Sequence, residues 1–141
     1  MPGMFAARRL KNKRKEMRWK QLKFRNRILG LSAKVDPLEG AAQARGIVLE
    51  KRTIEQKQPS SGLAKAVRLQ LIKNGKQITA FVPRDGAIKH VDEHDTVHIQ
   101  GLHGSQGGAK GSLWGVKWAV FKVNDISLEE LRKGRKQKAS R

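Results

Sequence analysis

The residues of this chain whose types and spacing could support chemistry are concentrated in one short polar stretch. The stretch contains three histidines and three carboxylates, namely His90, Asp92, Glu93, His94, Asp95 and His98. Imidazole and carboxylate together form a legitimate ligand set for a metal ion. However, His94 and His98 straddle a predicted loop–strand boundary, and no helical HExxH spacing occurs. We therefore interpret these residues as solvated turn residues, and we predict neither a metal site nor a cofactor.

No other segment contains the residues of an active site. Ser60 and Ser61 have no neighbouring general base and no nucleophile-elbow motif. The glycine-rich segment 101–115 lacks the Lys-Ser/Thr ending of a phosphate-binding P-loop. The chain has no cysteine, which excludes disulfides and cysteine-ligated zinc or iron–sulfur sites. The sequence thus predicts a protein that is not an enzyme, with no catalytic residue and no small-molecule substrate.

The charge of the chain indicates a polyanionic partner. Its 141 residues include 31 Lys and Arg but only 12 Asp and Glu, which gives a formal net charge of +19. Nucleic acid is the usual counterpart of such an excess, because each neutralised phosphate releases a counterion. The basic stretches lack the wide apolar face of a membrane-surface helix, and no apolar run reaches spanning length, so we predict no membrane partner. The N-terminus lacks the apolar core of a secretory signal, which predicts a cytoplasmic protein.

Two basic segments at the ends of the chain are the predicted RNA contacts. In residues 1–44 apolar side chains recur every seven residues, which predicts a helix with a thin apolar stripe. The apolar positions are Leu10, Met17, Phe24 and Leu31. In residues 127–141, Ser127 and Glu130 predict a capping box at the start of a short helix that leads into a basic tail. The predicted RNA-binding cations are Arg8, Arg9, Lys11, Lys13, Arg14, Lys15, Arg18, Lys20, Lys23, Arg25, Arg27, Arg132, Lys133, Arg135 and Lys136.

Between these segments, residues 45–126 have the pattern of a small β domain. Alternating apolar and polar residues predict five short strands, at 47–54, 67–71, 78–82, 96–100 and 116–123. Asn74-Gly75 predicts a two-residue type I′ hairpin, and a slip in the alternation near Phe121 predicts a bulge. The predicted fold is mainly β, an OB-like barrel that presents loops to nucleic acid. A five-stranded SH3-like barrel fits the same pattern.

Residues 57–65 connect two predicted strands, and almost every side chain in this stretch is polar, small or basic. Pro59 fixes its own φ, Gly62 lets the backbone approach a partner closely, and Lys57 and Lys65 flank them with positive charge. Such a loop can present small hydrogen-bonding groups to a phosphate-rich surface, although a Pro/Ser/Gly stretch alone also fits an ordinary strand connection. The charge of the rest of the chain favours the first interpretation.

Aromatic residues are few, and most of them occupy core-like positions in the pattern. We therefore expect them to pack rather than to stack on bases. Trp114 is the exception, because it lies inside the glycine-rich segment, where its side chain can be exposed. Recognition of RNA should therefore depend on phosphate, ribose and shape rather than on stacked single strands.

Several stretches resemble the family of small-subunit ribosomal protein S twelve in its archaeal or eukaryotic form. They read PLEG at 37–40, ARGIVLEK at 44–51, KQP at 57–59, VRLQLIKNGK at 67–76, TAFVP at 79–83 and DEHD at 92–95. The resemblance runs nearly from end to end and includes the basic N-terminal arm, residues 1–40. It implies an OB-fold barrel with an N-terminal extension threaded into ribosomal RNA, a structural constituent of the small subunit that contributes to translational accuracy. The implied partners are small-subunit ribosomal RNA, other ribosomal proteins, and the helix that messenger and transfer RNA form during decoding.

By position, the resemblance also assigns two loops to the decoding centre. The first-loop residues are Lys57, Gln58, Pro59, Ser60, Ser61 and Lys65, and the second-loop residues are Ser112, Leu113 and Trp114. The chain departs from the usual family pattern in both loops, where Ser60 stands for Asn, Ala64 for Arg, Ser112 for Asp and Trp114 for Pro. Lys89 also replaces a usual Asn. These departures leave open a divergent member of the family, a paralogue, or an OB-type RNA-binding translation or assembly factor with altered decoding loops.

Overall fold

The computed structural model describes residues 3–104 and 108–140, which form two compact units that divide between Gly40 and Ala41. The predictions that fall on residues 1–2, on 105–107 of the glycine-rich segment and on 141 lie outside the described residues. The first unit contains three helices, α1 (Ala6–Trp19), α2 (Leu22–Ile28) and α3 (Leu31–Val35). The single helix predicted for this segment is therefore wrong. It is interrupted after α1, and again at Gly30, whose φ of +61° lies in the left-handed region that suits glycine.

The second unit is built on one six-stranded, mainly antiparallel sheet, which confirms the predicted mainly β class. Its strands are β1 (Gln43–Glu55), β2 (Leu63–Leu71), β3 (Gln77–Phe81), β4 (Thr96–Gly101), β5 (Trp118–Val123) and β6 (Ile126–Ser127). A 3₁₀ helix at Ala87–His90 and α4 (Leu128–Arg132) complete the unit. The strand order is β3-β2-β1-β4-β5-β6, and a parallel pairing of β3 with β5 links five strands in a ring. The two-residue strand β6 was not predicted.

The core of the second unit is aliphatic. Its fully buried side chains include Val48, Leu69, Val97, Ile99 and Val120. None of the seven aromatic side chains is fully buried, but Phe81, Trp118 and Phe121 are half-buried, and Phe81 packs against a buried cluster, so the expected packing is confirmed only in part.

The predicted bulge in the last long strand is confirmed. His98 pairs with Lys122 but Ile99 pairs with Val120, which leaves Phe121 as an extra residue on β5. A second bulge, at Leu49 of β1, was not predicted.

The predicted hairpin at Asn74-Gly75 is present, but its two-residue turn is wrong. The Leu71 N–H donates to the carbonyl of Lys76 at 2.9 Å, so four residues separate the closing pair. Gly75 adopts a positive φ of +72° whereas Asn74 does not, and a type I′ turn needs both. The Asn74 side chain instead accepts a hydrogen bond from the Lys76 N–H at 3.1 Å, which stabilises the longer turn.

The short helix after β6 begins where the sequence predicts, but without the capping box. Ser127 is the N-cap residue and makes no side-chain capping hydrogen bond. Glu130, the other predicted partner, accepts a bond from Arg135 at 3.4 Å. Burial of Leu128 and Leu131 holds the helix in place instead.

Candidate nucleic-acid interface

The polar loop between β1 and β2 covers residues 56–62 and is closed by its own hydrogen bonds. The Gln56 N–H donates to the carbonyl of Gly62 at 2.9 Å, and the Ser60 N–H donates to that of Lys57 at 3.0 Å. The Ser60 hydroxyl donates to the side-chain oxygen of Gln56 at 2.8 Å. The exposed residues of the loop are Lys57, Gln58, Pro59, Ser60, Ser61 and Gly62. The loop therefore presents polar side chains from a backbone that is fixed at its base.

Lys65 does not belong to this loop, contrary to the prediction. Strand β2 begins at Leu63, so Lys65 lies within the strand and pairs with Thr53 of β1. Its side chain is exposed, whereas that of the preceding Ala64 is only 6% exposed, because successive strand residues face opposite sides of a sheet. Lys65 thus supplies positive charge from a rigid strand.

The second predicted loop residues lie directly beside the first loop. The Lys57 N–H donates to the carbonyl of Ser112 at 3.3 Å, and the Lys57 ammonium lies 5.1 Å from the centre of the Trp114 ring. Trp114 is 62% exposed, as expected, but Leu113 is only 2% exposed. Leu113 packs in a small cluster with Ala64 and Val116, so it anchors the loop from inside.

The basic residues of the first unit are displayed on helices without a core. No residue of α1, α2 or α3 is buried. The predicted cations Arg8, Arg9, Lys11, Lys13, Arg14, Lys15, Arg18, Lys20, Lys23, Arg25 and Arg27 are all exposed. Glu16 is the one carboxylate of the sequence from 4 to 35. The Arg18 guanidinium lies 4.5 Å from the centre of the Phe24 ring, a distance at which a cation–π contact is attractive.

The basic residues of the C-terminal tail are arranged differently, because several pair with carboxylates of their own chain. Lys133 contacts Glu129 at 3.0 Å, and Arg135 contacts Glu130 at 3.4 Å. The hydrogen bond and charge of Lys133 lower the pKa of Glu129. Arg132 is half-buried and Lys136 is exposed.

Lys138 anchors the tail to the turn between the 3₁₀ helix and β4. Its ammonium bonds to Asp92 at 2.7 Å and also contacts Asp95, whose side chain is only 1% exposed. The Asn124 amide donates to the carbonyl of Ala139 at 3.1 Å and so holds the same part of the tail. We call Lys138, Asp92, Asp95 and Asn124 the tail clamp.

The ionisation of the tail clamp reflects these contacts. The hydrogen bond from Lys138 lowers the pKa of Asp92. Burial alone would raise the pKa of Asp95, but hydrogen bonds from Lys138 and the Asp92 N–H outweigh it, and the pKa is lowered. Burial opposes the charge of Lys138 as well, yet bonds to Asp92 and Asp95 raise its pKa. All three groups are therefore charged near neutral pH.

The interpretation of the His/Asp stretch as solvated turn residues is wrong for His98, which lies in β4 with its ring 2.9 Å from Asp125, and for Asp95. That carboxylate is buried because it accepts hydrogen bonds from the Asp92 N–H at 2.9 Å and from Asn124 at 3.4 Å, in addition to its contact with Lys138. Asp92, Glu93 and His94 are exposed as expected. The described residues contain no group of three or more His, Asp or Glu that could hold a metal ion.

Two long-range contacts could not be predicted from the sequence, one in the tail clamp and one between the two loops. Lys138 and Asp92 are 46 residues apart, and neither position carries a local signal of pairing. The contact of Lys57 with Trp114 likewise joins two loops that are distant in the chain. A resemblance that places both loops on one side of a barrel was the only available indication of that second contact.

Comparison with known proteins agrees with the resemblance. A family model described as ribosomal protein S12/S23 matches residues 31–141, which include both loops and the tail clamp. The match begins at the first residue of α3, so α1 and α2 lie outside it, although the resemblance was expected to include the arm. Within the described part of the chain, no helix combines the length and apolarity needed to cross a bilayer.

Proposed function

Because the chain belongs to the ribosomal protein S12/S23 family, we propose that it binds ribosomal RNA through its basic segments and braces the decoding centre with its two adjoining loops. The family has a structural, non-enzymatic role in the small ribosomal subunit, and its members associate with the ribosome, in general in the cytoplasm. RNA binding and the decoding contact are our extension of that role to this chain.

One observation carries the proposal of RNA binding, namely that the helices of the first unit have no core, since the buried Leu38 of this unit lies beyond them in the turn 36–40. Its three helices expose their cations and bury no residue, and Leu10 and Met17 remain more than half exposed. Short helices without packing are marginal in water, and the dense positive charge opposes folding further. A polyanion removes the repulsion and supplies a surface, so we infer that RNA completes this unit.

The contact between the two loops supports the proposal of a decoding role. The bond from Lys57 to Ser112 and the internal anchor Leu113 give the exposed groups of both loops a common base. Groups that are ordered before binding lose less entropy when they meet RNA. The exposed Gln58 and Ser61 offer hydrogen bonds to ribose and phosphate, and Lys65 adds charge from β2.

We further infer that the ring of five strands is an OB-like barrel. The pairing of β3 with β5 joins the two ends of the ring, as the closure of such a barrel requires. In this fold the loops carry the nucleic-acid contacts, which agrees with the position of the 56–62 loop between β1 and β2. The tail cations Arg132, Lys133, Arg135 and Lys136 would add contacts from outside the barrel.

Replacement of the native gene by single variants tests the decoding role in cells. We expect Lys57→Ala to change the rate of miscoding while the variant still co-sediments with the small subunit in high salt. Lys76→Ala is the matched control, because Lys76 is also exposed but lies in the connection 72–76 between β2 and β3. The decoding role is wrong if Lys57→Ala reduces only incorporation into the subunit, or if Lys76→Ala changes miscoding equally.

A further inference from the structure

We propose that Trp114 is a stacking platform for one unpaired nucleobase. The inference rests on the proposed contact of the two loops with RNA, and it names the chemical group that they bind. It departs from the sequence prediction, which expected recognition by phosphate, ribose and shape alone.

The indole of Trp114 is held outward by buried neighbours. Its side chain is 62% exposed, while Leu113 before it and Val116 after it are each only 2% exposed. Gly115 between them has a φ of +63°, a turn that other residues adopt with strain. The backbone beneath the indole is thus fixed by packing on both sides. A large aromatic surface in this setting can be covered by a partner at a small entropic cost.

Lys57 organises the same platform and provides a contact for the backbone of a bound nucleotide. Its ammonium lies 5.1 Å from the ring centre, within the range of an attractive cation–π contact. Among the described residues Trp114 has no aromatic neighbour, whereas Trp19 of the arm packs edge-on against Phe24 at 5.5 Å. The Trp114 ring is therefore available to an aromatic partner from outside the chain.

The surrounding charge selects a nucleic acid as that partner. The sequence of 56–62 and 108–117 contains Lys57, Lys110 and Lys117 but no Asp or Glu. An apolar peptide would gain nothing from these cations, whereas a nucleotide offers a planar base to the indole and a phosphate to the Lys57 ammonium beside it. Every base has a π face, so the site should accept an unpaired base without strong preference for its identity.

The test compares two single strands that differ only in their bases. The full-length chain is titrated with an oligoadenylate of about eight nucleotides, and with an abasic ribose–phosphate strand of equal length. We expect Trp114→Leu to weaken binding of the oligoadenylate about tenfold and to leave the abasic strand unaffected, whereas Trp114→Phe keeps most of the preference. Oligoadenylate should quench the tryptophan fluorescence of the wild type, and most of that quenching should be lost in Trp114→Leu.

The remaining outcomes separate failure of this inference from failure of the proposed function. Trp19→Leu is the control, because it removes another exposed indole and should leave the ratio of the two affinities unchanged. If Trp114→Leu preserves that ratio, or weakens both strands equally, stacking at Trp114 is wrong while RNA binding stands. If the wild type binds neither strand at low salt, the proposed function fails and the inference falls with it. Circular dichroism of each variant confirms that the fold is kept.

Discussion

The two basic ends of the molecule have similar compositions but place their charges differently. In the arm, residues 1–40, the cations are exposed on helices that bury nothing, and Glu16 is the one carboxylate before Asp36. In the tail, residues 127–141, Lys133, Arg135 and Lys138 each contact a carboxylate of their own chain. Counting lysines and arginines therefore cannot distinguish a cation that needs a partner from one that already has one.

This difference implies different dependences on RNA. Under the proposed function, the arm would be stabilised by the RNA that neutralises its charge, so its cations should contribute mainly to the affinity for RNA. The tail gains part of its order from the tail clamp, which lies within the second unit, so part of its contribution belongs to stability. Substitutions that remove equal charge from each end can test this separation.

The largest expected effect is the loss of RNA affinity when charge is removed from α1. The matched variants replace by glutamine either Lys11, Lys13, Arg14 and Lys15, or Arg132, Lys133, Arg135 and Lys136. Each phosphate contact contributes about 0.9 to the slope of log affinity against log salt on a duplex. We expect the slope to fall by about 3 to 4 for the α1 variant and by about half as much for the tail variant, since the tail shares two of its cations with Glu129 and Glu130.

Anisotropy titrations of the full-length variants with a structured RNA fragment, over a series of salt concentrations, measure both slopes. Equal decreases would show that the carboxylates of the tail release their cations completely on binding. The comparison between the two ends would then hold only for the free protein.

The second expected effect concerns stability, and here a substitution in the tail should matter more than one in the arm. Lys138→Met removes the ammonium that contacts the buried Asp95, and we expect the free energy of unfolding to fall by about 2 kcal/mol. Urea denaturation followed by circular dichroism measures the loss. Lys136→Met removes the same charge from an exposed neighbour and should change the free energy of unfolding by less than about 0.5 kcal/mol. Equal stabilities of the two variants would contradict the tail clamp.

The effect of Lys138→Met should also depend on pH. The pKa values of Asp92 and Asp95 are lowered in the folded protein, so their contribution is complete above the ordinary aspartate pKa and is lost as the pH falls through the folded values. The pKa of Lys138 is raised, so its contribution is complete below the ordinary lysine pKa and is lost as the pH rises through the folded value. The stability difference between wild type and variant should therefore be constant from about pH 5 to 9 and shrink towards both extremes.

Local pattern predicted most of the fold. Alternation in Val97 and Ile99 defined β4, and the slip at Phe121 revealed a bulge, because a strand exposes its period in its own residues. The start of β2 at Leu63 was missed, since Leu63, Ala64 and Lys65 include no β-branched residue and follow directly on a turn-rich stretch. Pairing with β1 extends that strand, and the pattern of residues within one strand does not show which partner it pairs with.

The features of the candidate site could be predicted only where they depend on a single segment of the chain. Exposure of Trp114 followed from its glycine-rich surroundings, but the inward orientation of Leu113 depends on Ala64 and Val116, which reach it only in the folded chain. The buried state of Asp95 similarly requires Lys138, and nothing in either local sequence indicates the other. Charge, which is a property of composition, predicted the kind of partner without showing which cations are already paired.

The smallest expected effect isolates a single pair and tests the comparison most directly. Arg135 contacts Glu130 at 3.4 Å, so we expect Arg135→Gln to lower the salt slope of RNA binding by clearly less than one phosphate contact. Arg25 has no ion pair among the described residues, and Arg25→Gln should lower the slope by about 0.9. Glu130→Gln should release Arg135 and raise the slope above that of the wild type, an increase that neutralising one negative charge at a distance from the RNA would not produce. The opposite result would be an unchanged slope for Glu130→Gln together with a decrease of about 0.9 for Arg135→Gln. Arg135 would then bind phosphate even in the presence of Glu130, and the ion pair of the free protein would not reduce its contribution to RNA binding.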